Sequence, residues 1–226
     1  MQARSKRYQE SEKQLDRAKI YELKDAITLL KKMVVPKFDG AVDLHFNLSI
    51  DPKKSDQMVR GTVVLPHGTG KKVRVAVFCK GEHEKLAKEA KADYVGGTEL
   101  IDKVAAGFLD FDCAIATPEM MKDLSKLGKV LGPRGLMPSP KTGTVTNDIV
   151  KAIEDVRRGK VEFRVDKQGG VHLSVGKLSF DEIKLYENAS RVIEALTEAK
   201  PASVKGKFVK TLVISASMNP GLRLAI

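Results

Sequence analysis

Val42-Asp-Leu-His-Phe-Asn-Leu-Ser-Ile50 alternates without a break, apolar at even positions and polar at odd ones. Val161-Glu-Phe-Arg-Val165 and Val171-His-Leu-Ser-Val175 alternate as well, and Lys167-Gln-Gly-Gly170 between them suits a hairpin turn. A period of two with one polar face predicts strands packed on one side and wet on the other, hence an antiparallel sheet. Residues 206–217 read as a further strand with less regular alternation. Two amphipathic helices accompany these strands. Residues 21–32 put Leu23, Ala26, Ile27 and Leu30 on one face. A second helix, opened by a Ser179/Glu182 capping box, carries Ile183, Tyr186, Ala189, Ile193 and Leu196 before Pro201.

The middle of the chain follows another rule. Val73-Arg-Val-Ala-Val-Phe-Cys79 and Cys113-Ala-Ile-Ala116 are closer to continuous apolar runs, as in strands covered on both faces. Helical patterns surround them. Residues 82–91 are rich in helix formers, and Thr98 is placed to cap a segment through Ala106. Thr117-Pro118 supplies a cap with proline at the first helical position, and Asn147 is placed to cap a helix ending at Arg158 before Gly159. Strands alternating with such helices predict a Rossmann-like parallel α/β unit. The fold class is therefore two domains, an α+β domain built by both termini and an inserted three-layer α/β domain. The predicted boundaries are 1–66 with 160–226 for the first and 67–159 for the second, with hinges at Pro66, His67, Gly68 and at Arg158, Gly159, Lys160.

Charge then points to a partner. The net charge is +11, which speaks to polyanions and solubility and not to fold. Residues 1–66 hold thirteen basic against nine acidic side chains, 159–226 eleven against seven, and 67–158 sixteen against thirteen. The outer domain thus carries the larger excess and is the expected main nucleic-acid face. No apolar run approaches the roughly 20 residues of a membrane span, and the basic start has no apolar segment behind it, so the chain reads as cytosolic. Cys79 and Cys113 read as reduced thiols inside apolar runs, and the four histidines are scattered without a pair at ligand spacing, so neither metal nor cofactor is expected.

Enzyme motifs fare poorly. In Gly68-Thr-Gly-Lys71 the earlier glycine of a phosphate loop would fall at Leu65, Lys72 stands where Ser or Thr is needed, and a strand follows where a helix should. An α/β nucleotide-binding enzyme is the alternative reading and is disfavoured. Lys205-Gly-Lys-Phe-Val209 lacks the spaced aromatics of RNA-recognition-motif sheets. The segment from Leu124 to Asn147 is more informative. It has no acid, four bases (Lys126, Lys129, Arg134, Lys141), four glycines and three prolines. That composition suits either a rigid connecting loop or a pre-shaped basic loop that contacts phosphates with little loss of entropy.

Leu127-Gly-Lys-Val-Leu-Gly-Pro-Arg-Gly-Leu-Met-Pro138 inside that segment closely resembles the signature of the ribosomal L-one family. Lys37-Phe38-Asp39, the block from Asp51 to Gly68, Ala92-Asp-Tyr-Val-Gly-Gly97, Lys160-Val-Glu-Phe-Arg-Val-Asp-Lys167 and Ser217-Met218 agree, so the resemblance spans about residues 5 to 224. It implies a non-enzymatic constituent of the large ribosomal subunit that binds the large-subunit rRNA stalk near the exit site. It further implies help in releasing E-site tRNA, repression of its own operon mRNA, and a monomer off the ribosome, with no membrane partner. The family's RNA contacts map onto Lys37 and Phe38 and onto Ser217, Met218, Asn219 and Pro220. Lys167 and Arg223 are added as phosphate partners, and Lys129, Arg134 and Lys141 as a secondary basic loop. Two positions depart from the family, which commonly has Thr at Ser217 and Gly at Asn219. The second matters because a side chain replaces hydrogen where backbone would approach RNA.

Overall fold

The computed structural model describes residues 5–16, 19–33, 36–52, 54–204 and 206–225. Residues 1–4 of the basic start, Lys53 of the Asp51 block and Lys205 lie outside them. The chain begins with α1 (Lys6–Lys13), α2 (Leu23–Lys32), β1 (Ala41–Leu48) and β2 (Arg60–Val64). There follow β3 (Val75–Phe78), α3 (Glu82–Glu89), β4 (Tyr94–Gly96), α4 (Thr98–Ala105) and β5 (Cys113–Ala116). Two one-turn helices, α5 (Met121–Leu124) and α6 (Gly128–Leu131), precede α7 (Ile149–Arg158). The last elements are β6 (Lys160–Arg164), β7 (Gly170–Lys177), α8 (Glu182–Glu198), β8 (Val209–Ala216) and β9 (Leu222–Leu224). Backbone contacts divide them into two compact units, residues 1–70 with 161–226 and residues 71–160.

The first unit is built on an antiparallel sheet in the order β7-β1-β8-β9. In β1 the alternation does what the period of two requires. Val42, Leu44, Phe46 and Leu48 are buried, while Asp43, His45 and Asn47 point to the wet face. Helices α2 and α8 pack together on the buried side, supplying Ala26, Ile27 and Leu30 and then Leu185, Ala189, Val192 and Leu196. The stripe of α8 therefore differs from the expected one, because Ile183 is 70% exposed and Leu185 takes the inward position. The predicted capping box is also absent. Asp181 is the N-cap without a side-chain bond, and the Ser179 hydroxyl donates to Asp39 while Glu182 accepts from Thr28.

The expected hairpin forms only as its turn. Asp166 N donates to Gly170 O at 2.8 Å, and the Asp166 carboxylate accepts from the Gly170 and Gln168 amides at 2.7 and 2.8 Å. Those two amides hold the Asp166 carboxyl below the ordinary carboxylate range. Beyond the turn β6 leaves β7 and pairs with β2 in a separate two-stranded sheet, because Val63 and Phe163 complete the same core from that position. Gly61 makes this approach possible. A Cβ there would stand 2.6 Å from Cζ of Phe163, whose ring is buried. Gly61→Ala is expected to destabilise the protein by about 1–3 kcal/mol, read as a lower urea midpoint. An unchanged midpoint would mean that the ring has room to move.

The second unit has a parallel sheet, β4-β3-β5. Both faces are covered. Ala76, Phe78, Ala114 and Ala116 face α4 and the short helices, and Val75, Val77, Cys79 and Ile115 face Ala87 of α3 and Ile149, Ile153 and Val156 of α7. All four residues of β3 are buried, which is why its sequence lacks alternation. Two caps shift by one residue from expectation. Gly97 precedes α4, and Asp148 caps α7 by accepting from Lys151 N. Gly68-Thr-Gly-Lys71 lies in the loop before β3, with no helix after it. Burial raises the Cys79 thiol to about 11, which leaves it protonated and inert. Among the described residues no helix is long and apolar enough to cross a membrane.

Candidate nucleic-acid interface

At one end of the antiparallel sheet the segment entering β1 meets the segment leaving β8. The register Val42↔Ala216 and Ala41↔Lys177 brings residues 36–40, 177–179 and 217–220 together. Ser217 N donates to Ala41 O at 2.9 Å, and the Ser217 hydroxyl accepts from Ala41 N at 3.0 Å. The hydroxyl thus continues the ladder past its last regular pair. A threonine there could do the same, so the first family departure keeps its chemistry.

The 36–40 segment is pinned from the side. Asp39 accepts from Ser179 N at 3.2 Å and from its hydroxyl at 2.8 Å, and Lys177 Nζ donates to Asp39 O. Pro36 and Gly40 are buried, while Lys37 and Phe38 point out, Phe38 at 54% exposure. Phe38 borders a depression of about 440 Å³ with Lys31, Pro36 and Leu178.

The 217–220 segment opens on a tight turn, Ala216 to Asn219, closed by Asn219 N donating to Ala216 O at 3.0 Å. Met218 occupies its third position with φ +68°, and its side chain is 63% exposed. That backbone conformation costs an L-residue roughly 1–2 kcal/mol. A water-exposed methionine gives nothing back in the free protein, and strain of this kind concentrates at binding sites. Asn219 has an ordinary φ, so glycine is not required at the second departure. Its Oδ1 accepts from the Ser11 hydroxyl at 3.4 Å. Its Nδ2 is buried without a hydrogen-bond partner. Pro220 is buried and lies beneath the surface.

The partner of Asn219 belongs to an element the sequence reading passed over. Helix α1 starts at the Ser5 cap, which accepts from Tyr8 N, and buries Ser11 against the turn. Arg7 and Tyr8 line a depression of about 410 Å³ with Met218 and Asn219. A serine before a run of helix formers was the available signal.

The remaining candidates separate. Arg223 is exposed on β9 opposite Val213 and borders a second depression with Tyr8 and Lys19. Lys167 sits in the β6–β7 turn, at the other end of β7 from Lys177. The seven rises along the eight residues of β7 make that roughly 23 Å, so Lys167 does not join Phe38 and Met218. Lys129, Arg134 and Lys141 are exposed in the second unit on a tightly tied loop. Gly135 and Gly143 close two turns with positive φ, and Ser139 N donates to Thr144 at 2.8 Å. His67 and Gly68 are held to α8. Asn188 accepts from His67 N and donates to Gly68 O, so the chain leaves the first unit after Gly70. Arg158 and Gly159 finish α7, and Lys160 opens β6.

A model of the ribosomal protein L1p/L10e family matches residues 30–220. The chain is also similar to the large ribosomal subunit protein uL1 of Onion yellows phytoplasma (strain OY-M). The two are 53% identical over 221 residues, which cover 98% of this chain and 96% of that relative.

Proposed function

The chain belongs to the ribosomal protein L1p/L10e family, as a protein of the large ribosomal subunit, and from that premise we propose that its first unit docks on folded large-subunit rRNA through the Phe38 and Met218 loops. The observation that carries this reading is an exposed methionine held in left-handed backbone and an exposed phenylalanine at the same end of one sheet. Folded RNA offers a shallow minor groove with 2′-hydroxyls, so its recognition rests on shape, ribose contacts and stacking. Two apolar side chains pressed against ribose exclude water and strengthen the hydrogen bonds around them. Lys31 and Lys37 flank Phe38, Arg7 lines the depression of Met218, and Arg223 borders the neighbouring one with Tyr8, all as phosphate partners. Lys167 contributes from the far turn to a longer RNA, and Lys129, Arg134 and Lys141 form a secondary contact.

On the same reading the protein sits at the stalk of cytoplasmic ribosomes, helps release deacylated tRNA from the E site, and represses its own operon mRNA where that message presents the same fold. It acts by binding, as a monomer off the ribosome. The two chain crossings form a hinge, its first pivot displaced from Pro66, His67 and Gly68 toward Gly70 by the Asn188 bonds.

Gel shifts with a junction-containing stalk RNA and a scrambled hairpin of equal length test the reading. Selective binding is expected, with a log–log salt slope of about −0.7 to −0.9 per phosphate neutralised. Equal affinity for both RNAs would overturn it.

A further inference from the structure

The wet face of the antiparallel sheet carries a pair that sequence spacing hides. His45 and His172 are 127 positions apart, yet the β1–β7 register sets them directly opposite one another. Leu48 N donates to Gly169 O, so on the alternation of antiparallel ladders the 45/172 pair falls between hydrogen-bonded pairs, where facing side chains are closest. The two Nδ1 atoms lie 2.9 Å apart, and both outer nitrogens have partners. His45 Nε2 is 2.9 Å from the Ser215 hydroxyl, and His172 Nε2 is 3.7 Å from the Asp166 carboxylate.

We propose that His45 and His172 form a two-nitrogen chelate for a late first-row divalent cation, copper(II) or nickel(II) in preference to zinc. Independent of RNA binding, the site needs nothing from the second unit. Histidine ligands of metals almost always donate their other ring N–H to a fixed acceptor. Here the negative charge of the Asp166 carboxylate, 3.7 Å from Nε2, favours the tautomer of His172 with the proton on that nitrogen, which leaves its Nδ1 lone pair facing His45. In the free protein His45 donates Nδ1–H into that lone pair and accepts from Ser215 at Nε2. On metal binding the His45 proton moves to Nε2 and is donated to Ser215, whose hydroxyl rotates to accept it, so a cation replaces the hydrogen of the bridge without net loss of a proton.

The spacing selects among cations. Two bonds of about 2.0 Å at right angles, as in tetragonal copper(II) or nickel(II), span about 2.8 Å. A tetrahedral zinc with bonds of about 2.0–2.1 Å needs its nitrogens about 3.3 Å apart. No group of three or more His, Cys, Asp or Glu among the described residues could hold a metal, so the other coordination positions fall to water.

Untagged full-length protein titrated with copper(II) tests the site. Paramagnetic broadening of histidine ring protons in NMR spectra is expected to reach His45 and His172 together at substoichiometric metal, before His67 and His83. His45→Asn and His172→Asn are each expected to weaken one-to-one binding at least about tenfold, while His67→Asn leaves it unchanged. Zinc should bind more weakly than copper. Broadening that starts elsewhere, no binding by the wild type, or single variants that bind like the wild type would overturn the proposal. The NMR arm needs no substitution, so a misfolded variant does not decide the matter.

Discussion

Met218→Asp lowers affinity for a stalk RNA fragment about a hundredfold or more, with little change in the thermal midpoint of the protein. The expected size is that of an apolar anchor at the centre of an interface, where truncation costs about 2 kcal/mol or more. Aspartate adds repulsion from the phosphates around it. The fold is spared for two reasons. The Met218 side chain is largely in water, so few packing contacts are lost. Aspartate also tolerates positive φ better than most residues, and Met218 holds φ +68°. Met218→Gly removes the side chain without adding charge. It is expected to relieve the strain and to weaken RNA binding less than Met218→Asp does. Filter binding of both variants together with their melting curves separates the two effects. A Met218→Asp protein that melts normally and binds stalk RNA like the wild type would remove this loop from the interface.

Local pattern was enough wherever one neighbour decided the outcome. The period of two in β1 and the stripe of α2 follow from a single covering layer, the continuous apolar run of β3 from cover on both faces, and each is visible in the sequence. Mixed α/β architecture and the antiparallel and parallel sheets were legible on that basis. Legibility ended where a side chain had two possible partners. Ser179 and Glu182 have capping-box spacing, but Asp39 and Thr28 compete for them across the unit and win. Phe163 alternates like a hairpin residue, yet its strand pairs with β2, where Gly61 leaves room for its ring. Short β4, three residues long, gave no period to read.

The candidate site divides the same way. Lys37, Phe38, Ser217 and Met218 came from the resemblance, since nothing in their local pattern distinguishes an exposed Met218 from a core one. The contribution of α1 was missed because its contact with the turn runs from Ser11 to Asn219, 208 positions away. His45 and His172 were set aside for the same reason. A register joins residues that no spacing rule connects. Asn219 differs, since its backbone needs no glycine and its Oδ1 accepts from Ser11 of α1, while its Nδ2 is buried without a partner.

Asn188→Ala is expected to cost about 2–4 kcal/mol of stability. Asn188 is wholly buried in α8 and satisfies three backbone groups from two other segments. Its Oδ1 accepts from His67 N at 3.1 Å, and its Nδ2 donates to Gly68 O at 3.0 Å and to Val175 O at 2.8 Å. Alanine leaves one amide and two carbonyls behind, and a buried polar group stripped of its partner costs about 1–3 kcal/mol. The sum stays below three such penalties because His67 is exposed and Gly68 half-buried, so water reaches their groups, whereas the Val175 carbonyl lies in the core. Asn188→Asp should be worse than alanine at neutral pH, since it keeps the acceptor for His67 N, loses both donors and buries a charge. Urea unfolding measures the loss. Limited trypsin digestion locates it, with faster cleavage after Lys71 and Lys72 as residues 66–70 come free of α8. A variant within about 0.5 kcal/mol of wild type, with an unchanged cleavage rate there, would mean that water or a shifted backbone replaces the amide and that Asn188 does not anchor the chain where it leaves the first unit.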